Sequence, residues 1–235
     1  MSLPPGALGY DVFSSPAFES WRADRQLEAE RAQATFDERA RLRGITFDSR
    51  ILSADVDNAG TLFGTIARNY DLSVVAQGEP DDLMESLAIE SAIFDSGRPV
   101  LIVPYIQTKE MDLAHVMVCW DGSRNAARAI GDALPFLKRA GRIDLVTIEQ
   151  KEQRGEMRGA QIANHLARHK LRVDLKAIVA PDVDVANVVL SQAADSGTGL
   201  IVMGAYGHTR LREFVLGGAT RDILGSMTVP VLMSH

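Results

Sequence analysis

Residues 200–220 read LIVMGAYGHTRLREFVLGGAT, and the reading of this stretch decides the fold. An apolar run, Leu200-Ile201-Val202-Met203, stops at Gly204. It shows no alternation, so it reads as a strand buried on both faces, which implies a parallel sheet with helices above and below. Gly207 follows, and Gly217-Gly218 stands before a helical pattern. Glycine straight after a buried strand lets backbone approach a ligand closely. Glycine at a helix start leaves N–H groups facing outward, where the helix dipole favours an anion. Two readings follow from spacing alone: a phosphate cradle, or a plain strand–glycine–helix junction that binds nothing. The loop lacks the Lys-Ser/Thr pair of a Walker A motif and is not G-x-G-x-x-G, so neither standard nucleotide motif applies.

Upstream, the same grammar repeats. Val116 to Trp120 is a buried strand, Asp121-Gly122-Ser123 a turn that caps the next helix, and Ala127, Ile130, Leu134 and Leu137 mark that helix's apolar face. Strands at 143–148 and 171–179 alternate with helices at 155–170 and 184–196, the latter ended by Gly197. The glycine stretch, a helix at 218–226 and a last strand at 229–233 complete the unit. Strands joined by helical crossovers predict a doubly wound parallel α/β sheet, with ligands outside the carboxyl ends of the strands where strand order reverses.

The first half carries a partial copy. GRPVLIVP at 97–104 answers TVPVLMSH at 228–235, and DLSVVAQG at 71–78 answers GLIVMGAYG at 199–207. A strand at 45–52, with Ile45, Phe47 and Ile51-Leu52, answers 171–179. Helices are predicted at 61–69 and 81–95, with Leu83, Leu87, Ile89 and Phe94 inward. Ala76 and Gln77 stand where Gly204 and Ala205 stand, so any phosphate site in this copy is dead or very different. Nothing answers 116–148. Before the copy, Ser15-Pro16 opens a polar surface helix with one thin apolar stripe, stopped by Gly44. The expected organisation is a shortened, degenerate domain at 1–104, a linker at 105–114 and a complete domain at 115–235.

Composition narrows the function classes. A net charge of −6 argues against broad nucleic-acid binding. No apolar run reaches membrane-span length, and no signal peptide opens the chain, which leads to the expectation of a cytoplasmic protein. Cys119 is the one cysteine, which excludes an intrachain disulfide, and its apolar setting reads as a buried inert thiol. The five histidines have no paired metal-ligand spacing, and His165 and His169 read as solvated.

Asp121-Gly122-Ser123 after a first strand, Gly204, Gly207 and Gly217 at G-x2-G-x9-G spacing, Gly218-Ala219-Thr220 and the closing VPVLM together resemble the universal stress protein family. The resemblance is to a tandem member, good over 115–235 and weaker over 16–104. It implies a five-stranded sheet of order 3-2-1-4-5 in the second half. It also implies an adenine-nucleotide site, ATP first, with Mg2+ reaching it through the phosphates. Asp121 would lie near the adenosine, and backbone near Thr147 and Ile148 would meet the adenine. Met203 to Gly207 would run beside ribose and phosphates, and Gly217, Gly218, Ala219 and Thr220 would hold phosphates. His208, Arg210 and Arg212 would add positive charge, or are simply a solvated loop.

One departure stands out. Family members that bind ATP usually carry Ser or Thr where this chain has Gly218. Losing one hydrogen bond to a charged acceptor weakens binding by about 1.5–3 kcal/mol, roughly ten-fold or more. Thr220 stands near enough to compensate in part. The expected function is therefore a stress-response regulator binding an adenine nucleotide with little or no hydrolysis, no catalytic base being evident. The alternative is a dimerisation module of the same fold that binds none. Strands 99–103 and 229–233 would pair, within the chain as a pseudo-dimer or between two copies as a homodimer. In the 3-2-1-4-5 order the strands missing from the first half are central ones, so that half should be rearranged, with exposed apolar edges.

Overall fold

The computed structural model describes residues 16–78, 83–149, 159–180, 183–206 and 218–235. Ser15, the first turn of the helix expected from 155, and residues 207–217 lie outside them. The chain falls into two compact units, residues 1–59 and Gly60–His235.

In the first unit, Pro16 opens α1 (Pro16–Leu42), with Phe18 and Ala40 buried on its thin inward stripe. Gly44, at φ 64°, turns the chain out of the helix, and the Ile45 N–H returns to the Ala40 carbonyl. Residues 45–52, expected as a strand, are not one. Their alternation serves α1 instead. Phe47 meets Phe36 edge-on at 5.6 Å, the Arg41 guanidinium lies over the Phe47 ring at 5.7 Å, and Ser49 Oγ accepts from Gln33. A period of two describes any extended segment laid on an apolar surface, and here the surface is a helix.

The second unit is a three-layer α/β sandwich. After α2 (Val56–Ala67) come β1 (Ser73–Ala76), α3 (Leu83–Phe94) and β2 (Val100–Val103). Then follow β3 (His115–Cys119), α4 (Arg124–Leu137), β4 (Arg142–Glu149), α5 (Ala160–Arg168) and β5 (Val173–Val179). The chain closes with α6 (Val185–Ser196), β6 (Leu200–Gly204), α7 (Gly218–Ser226) and β7 (Val231–Ser234). One sheet takes all seven strands, in the order β1-β2-β7-β6-β3-β4-β5. The five strands of 115–234 keep the expected 3-2-1-4-5 order and are parallel. The expectation of a five-stranded sheet is corrected to seven, because β2 pairs antiparallel with β7 and brings β1 with it. The pairing of 99–103 with 229–233 thus occurs within the chain, with Leu101 opposite Leu232.

The uninterrupted apolar runs are buried on both faces. Met117, Ile201 and Met233 pack under α3, α6 and α7, while Val118, Leu145, Val202 and Leu232 pack under α4 and α5. Two helix faces differ from expectation. On α4 the buried residues are Asn125, Ala126, Ala129, Ile130, Ala133 and Leu137, with Ala127 exposed. On α3 they are Ile89, Ala92 and Ile93, while Leu87 and Phe94 are exposed. Small residues win these positions because a helix lies close on the sheet, and large ones are rotated to its flank. β1 is the sheet's open edge, and Val74 on it is 60% exposed.

Gln77, at the end of β1, explains why the first copy has no glycine loop. It is buried, its Nε2 donates to the Leu224 carbonyl of α7 at 2.8 Å, and its Oε1 accepts from the Tyr105 N–H at 3.3 Å. The side chain fastens β1 to the second half. Gln77→Ala is expected to lower the unfolding free energy by about 1–3 kcal/mol, since it strands buried polar groups. Urea denaturation of the two proteins checks this, and an unchanged midpoint would contradict it.

Candidate nucleotide site

The site sits at the carboxyl ends of β3, β4 and β6. β3 is the switch point: the chain passes from it to β4 on one side and returns to β6 on the other. In an open α/β sheet this leaves a crevice outside the strand ends. Register sets the level of each residue. Cys119 faces Val146, which puts Trp120 beside Thr147 and Asp121 beside Ile148. Val118 faces Val202, which puts Trp120 level with Gly204.

The turn after β3 is shaped by its own residues. Asp121 Oδ1 accepts the Ser123 N–H at 2.8 Å, Gly122 takes φ 82°, and Ser123 Oγ accepts the Ala126 N–H as the N-cap of α4. Asp121 itself is exposed at the crevice. Cys119 beneath it is part of the core packing. Burial pushes its thiol up to about 12, with the Asp121 charge adding to the effect, so it stays protonated at neutral pH.

Gly204 has a structural reason to be glycine. A Cβ there would lie 2.5 Å from the Ala126 nitrogen and 2.6 Å from the Asn125 carbonyl carbon. The end of β6 is therefore packed directly against the first turn of α4. Asn125, which the sequence reading passed over, completes the joint. It is buried, and its Nδ2 lies 2.6 Å from the Ala205 carbonyl and 3.0 Å from His235 Nδ1. The one signal for it was a polar residue at an inward-facing helix position.

After Ala205 the chain enters the loop through Tyr206, whose φ is 53°. A bulky residue in this left-handed region is strained by about 1–3 kcal/mol and persists only where its surroundings hold it. Phe94 of α3 packs on the Tyr206 ring at 4.7 Å with the planes tilted by 33°, and meets the His235 ring edge-on at 5.0 Å. The Tyr206 N–H points to Thr220 Oγ1 at 3.4 Å. Burial, with Glu90 nearby, pushes the Tyr206 phenol well up.

The remaining expected residues fall as follows. Met203 is 9% exposed and its side chain belongs to the core, leaving only backbone for a ligand. Thr147 is buried, and its Oγ1 has no hydrogen-bond partner among the described residues, while Ile148 is half-buried on the other face. Gly218 is exposed at the start of α7, Ala219 is half-buried, and Thr220 is buried with its hydroxyl turned to Tyr206. Gly207, His208 and Gly217 lie outside the described residues, as do Arg210 and Arg212. Among the described residues no three His, Cys, Asp or Glu side chains are placed to hold a metal ion. No described helix is long and apolar enough to cross a membrane. His165 is exposed, its ring meeting that of His169 at 4.9 Å.

The sequence model of the universal stress protein family matches residues 113–235. No curated protein matches the sequence. Among solved structures, the chain is similar to a universal stress protein from Archaeoglobus fulgidus DSM 4304, at 16% identity and a TM-score of 0.70, over 92% of this chain and 78% of that one. It is also similar to a putative universal stress protein from Pseudomonas aeruginosa UCBPP-PA14, at 12% identity and a TM-score of 0.58, over 87% and 77% of the two chains. Identities this low establish a shared fold, and the family match over just more than half of the chain establishes the family.

Proposed function

The chain belongs to the universal stress protein family, and from that premise we propose that its C-terminal half binds an adenine nucleotide, ATP first, as a stress-response regulator with little or no hydrolysis. The observation that carries this reading is the convergence of three features at one switch point. They are the Asp121-Gly122-Ser123 turn, the end of β6 at Gly204 and the first turn of α7. Asp121 would meet ribose hydroxyls, backbone at Thr147 and Ile148 would meet the base, and the N–H groups of Gly218 and Ala219 would face phosphate. Gly207, His208 and Gly217 belong to the same proposal. Among the described residues, a Cβ added to Gly218 would meet only Asp222 Oδ2, at 3.7 Å. Mg2+ would enter with the phosphates.

The hydroxyl is missing at Gly218, and the nearby Thr220 Oγ1 accepts the Tyr206 N–H. Gly218→Ser is therefore expected to tighten ATP binding about ten-fold or more, the worth of one hydrogen bond to a charged acceptor. Calorimetric titration of both proteins measures it. ATP at millimolar concentration should also raise the melting temperature of the wild type, because a ligand that binds only the folded state stabilises it. No thermal shift in either protein would end the nucleotide reading. It would favour the second one, an assembly module, for which the β2–β7 pairing speaks.

A further inference from the structure

The half of the chain without a glycine loop reaches the proposed site of the other half through one side chain. α3 ends at Phe94, whose ring is 41% exposed yet lies 4.7 Å from Tyr206 and 5.0 Å from His235. The reason is the antiparallel joint of β2 and β7. It turns the first copy end for end, so the carboxyl end of α3 comes to the end of the sheet where β6 delivers the loop. Tyr206 is the pivot of that delivery: it follows Ala205, takes a left-handed backbone, and passes its N–H to Thr220 in the first turn of α7. Its phenol oxygen is buried without a hydrogen-bond partner among the described residues, and its ring packs on Phe94.

We propose that Phe94 is a positioning residue for the nucleotide site: its ring holds Tyr206 in the left-handed turn that aligns the end of β6 with the first turn of α7. This rests on the nucleotide reading above and adds the regulation of that site by the other half of the chain. The mechanical path is Phe94 to Tyr206 to Thr220. It leads to the phosphate end of the crevice, whereas the other contact of Phe94, with His235, leads to Asn125 and Ala205 at the β6–α4 joint. Coupling is reciprocal, so a nucleotide that fixes Tyr206 and Thr220 also fixes the end of α3.

The test is titration of the full chain with ATP and with adenosine, for the wild type, Phe94→Ala, Phe94→Leu, Phe94→Tyr and Tyr206→Phe. Hydrogen exchange of α3 is followed with and without ATP. Phe94→Ala should weaken ATP about ten-fold while leaving adenosine within two-fold, and Phe94→Leu should show the same pattern to a smaller degree. Phe94→Tyr, which keeps a ring, should restore ATP binding, and Tyr206→Phe should match the wild type. ATP should slow exchange at the end of α3 in the wild type and not in Phe94→Ala. ATP affinity unchanged in Phe94→Ala and Phe94→Leu overturns the proposal while leaving the nucleotide site standing. So does an equal loss of ATP and adenosine, which marks general loosening. A wild type that binds neither ligand overturns both.

Discussion

Asp144→Ala is expected to lower the unfolding free energy by about 3–5 kcal/mol, the scale for breaking a buried charge cluster from one side. Asp144 is 1% exposed in the middle of β4. Its Oδ2 lies 3.0 Å from His115 Nε2 on β3 and 2.5 Å from Lys176 Nζ on β5, and its Oδ1 accepts from Arg142 Nε at 3.1 Å. His115 Nδ1 lies 2.8 Å from the Ser196 carbonyl at the end of α6, a group that can only accept. One carboxylate therefore ties three strands and a helix end. Removing it leaves the buried His115 Nε2 and the Lys176 ammonium without their shared acceptor. The half-exposed Arg142 contributes little to this total, because water screens it.

The same cluster sets an acid dependence. Burial alone would raise the Asp144 carboxyl. The Lys176 hydrogen bond and the His115, Lys176 and Arg142 charges outweigh it and hold the group below the usual carboxylate value. A carboxyl depressed in the folded state stabilises fully above its unfolded pKa, about 3.9. That contribution disappears as the pH falls through the folded value. Urea unfolding at pH 7 should thus separate wild type and Asp144→Ala widely, and the gap should shrink below about pH 4. A gap under 1 kcal/mol at pH 7, or one that does not narrow in acid, would falsify this account of the cluster.

Gly204→Ala is the second large effect, an expected loss of about 1–3 kcal/mol, with Gly204→Val beyond that range. The added carbon would press on backbone atoms of Asn125 and Ala126, which cannot rotate aside as a side chain tip could. The helix start cannot withdraw either. Ser123 caps it, and Asn125 is bound across to Ala205. Stability and nucleotide affinity should therefore fall together, the first in a thermal melt and the second by titration. A change at Gly204 cannot separate nucleotide binding from assembly. Gly218, where among the described residues an added Cβ would meet only Asp222 Oδ2 at 3.7 Å, is the position that can. A Gly204→Ala protein that melts with the wild type would mean that the β6–α4 contact is looser than its geometry.

The family and the parallel core were both legible in local sequence. Runs such as Leu200 to Met203 and Val116 to Trp120 declare burial on two faces, and turn residues such as Asp121-Gly122-Ser123 and Gly197 mark element ends. Each of these signals depends only on a residue and its near neighbours, which is why a single sequence carries them. Asp144 was hidden for the opposite reason. In the sequence it is one polar residue in an apolar strand, and two of its three partners, His115 and Lys176, come from the neighbouring strands.

The amino-acid sequence by itself determined every strand of the sheet, while suggesting one more at 45–52, together with most helices and the glycine stretch on which the site reading rests; the order of five strands followed from the family resemblance. Tertiary structure decided the partners. It laid 45–52 against α1 and not in a sheet, fused the two copies through β2 and β7, and gave Gly204 a packing reason. It also turned Thr220 inward and brought Phe94 of one copy to Tyr206 of the other. The physical reason is range. Propensity and periodicity act over a few residues, whereas pairing, register and contact distance are fixed by what else needs burial, often more than a hundred residues away.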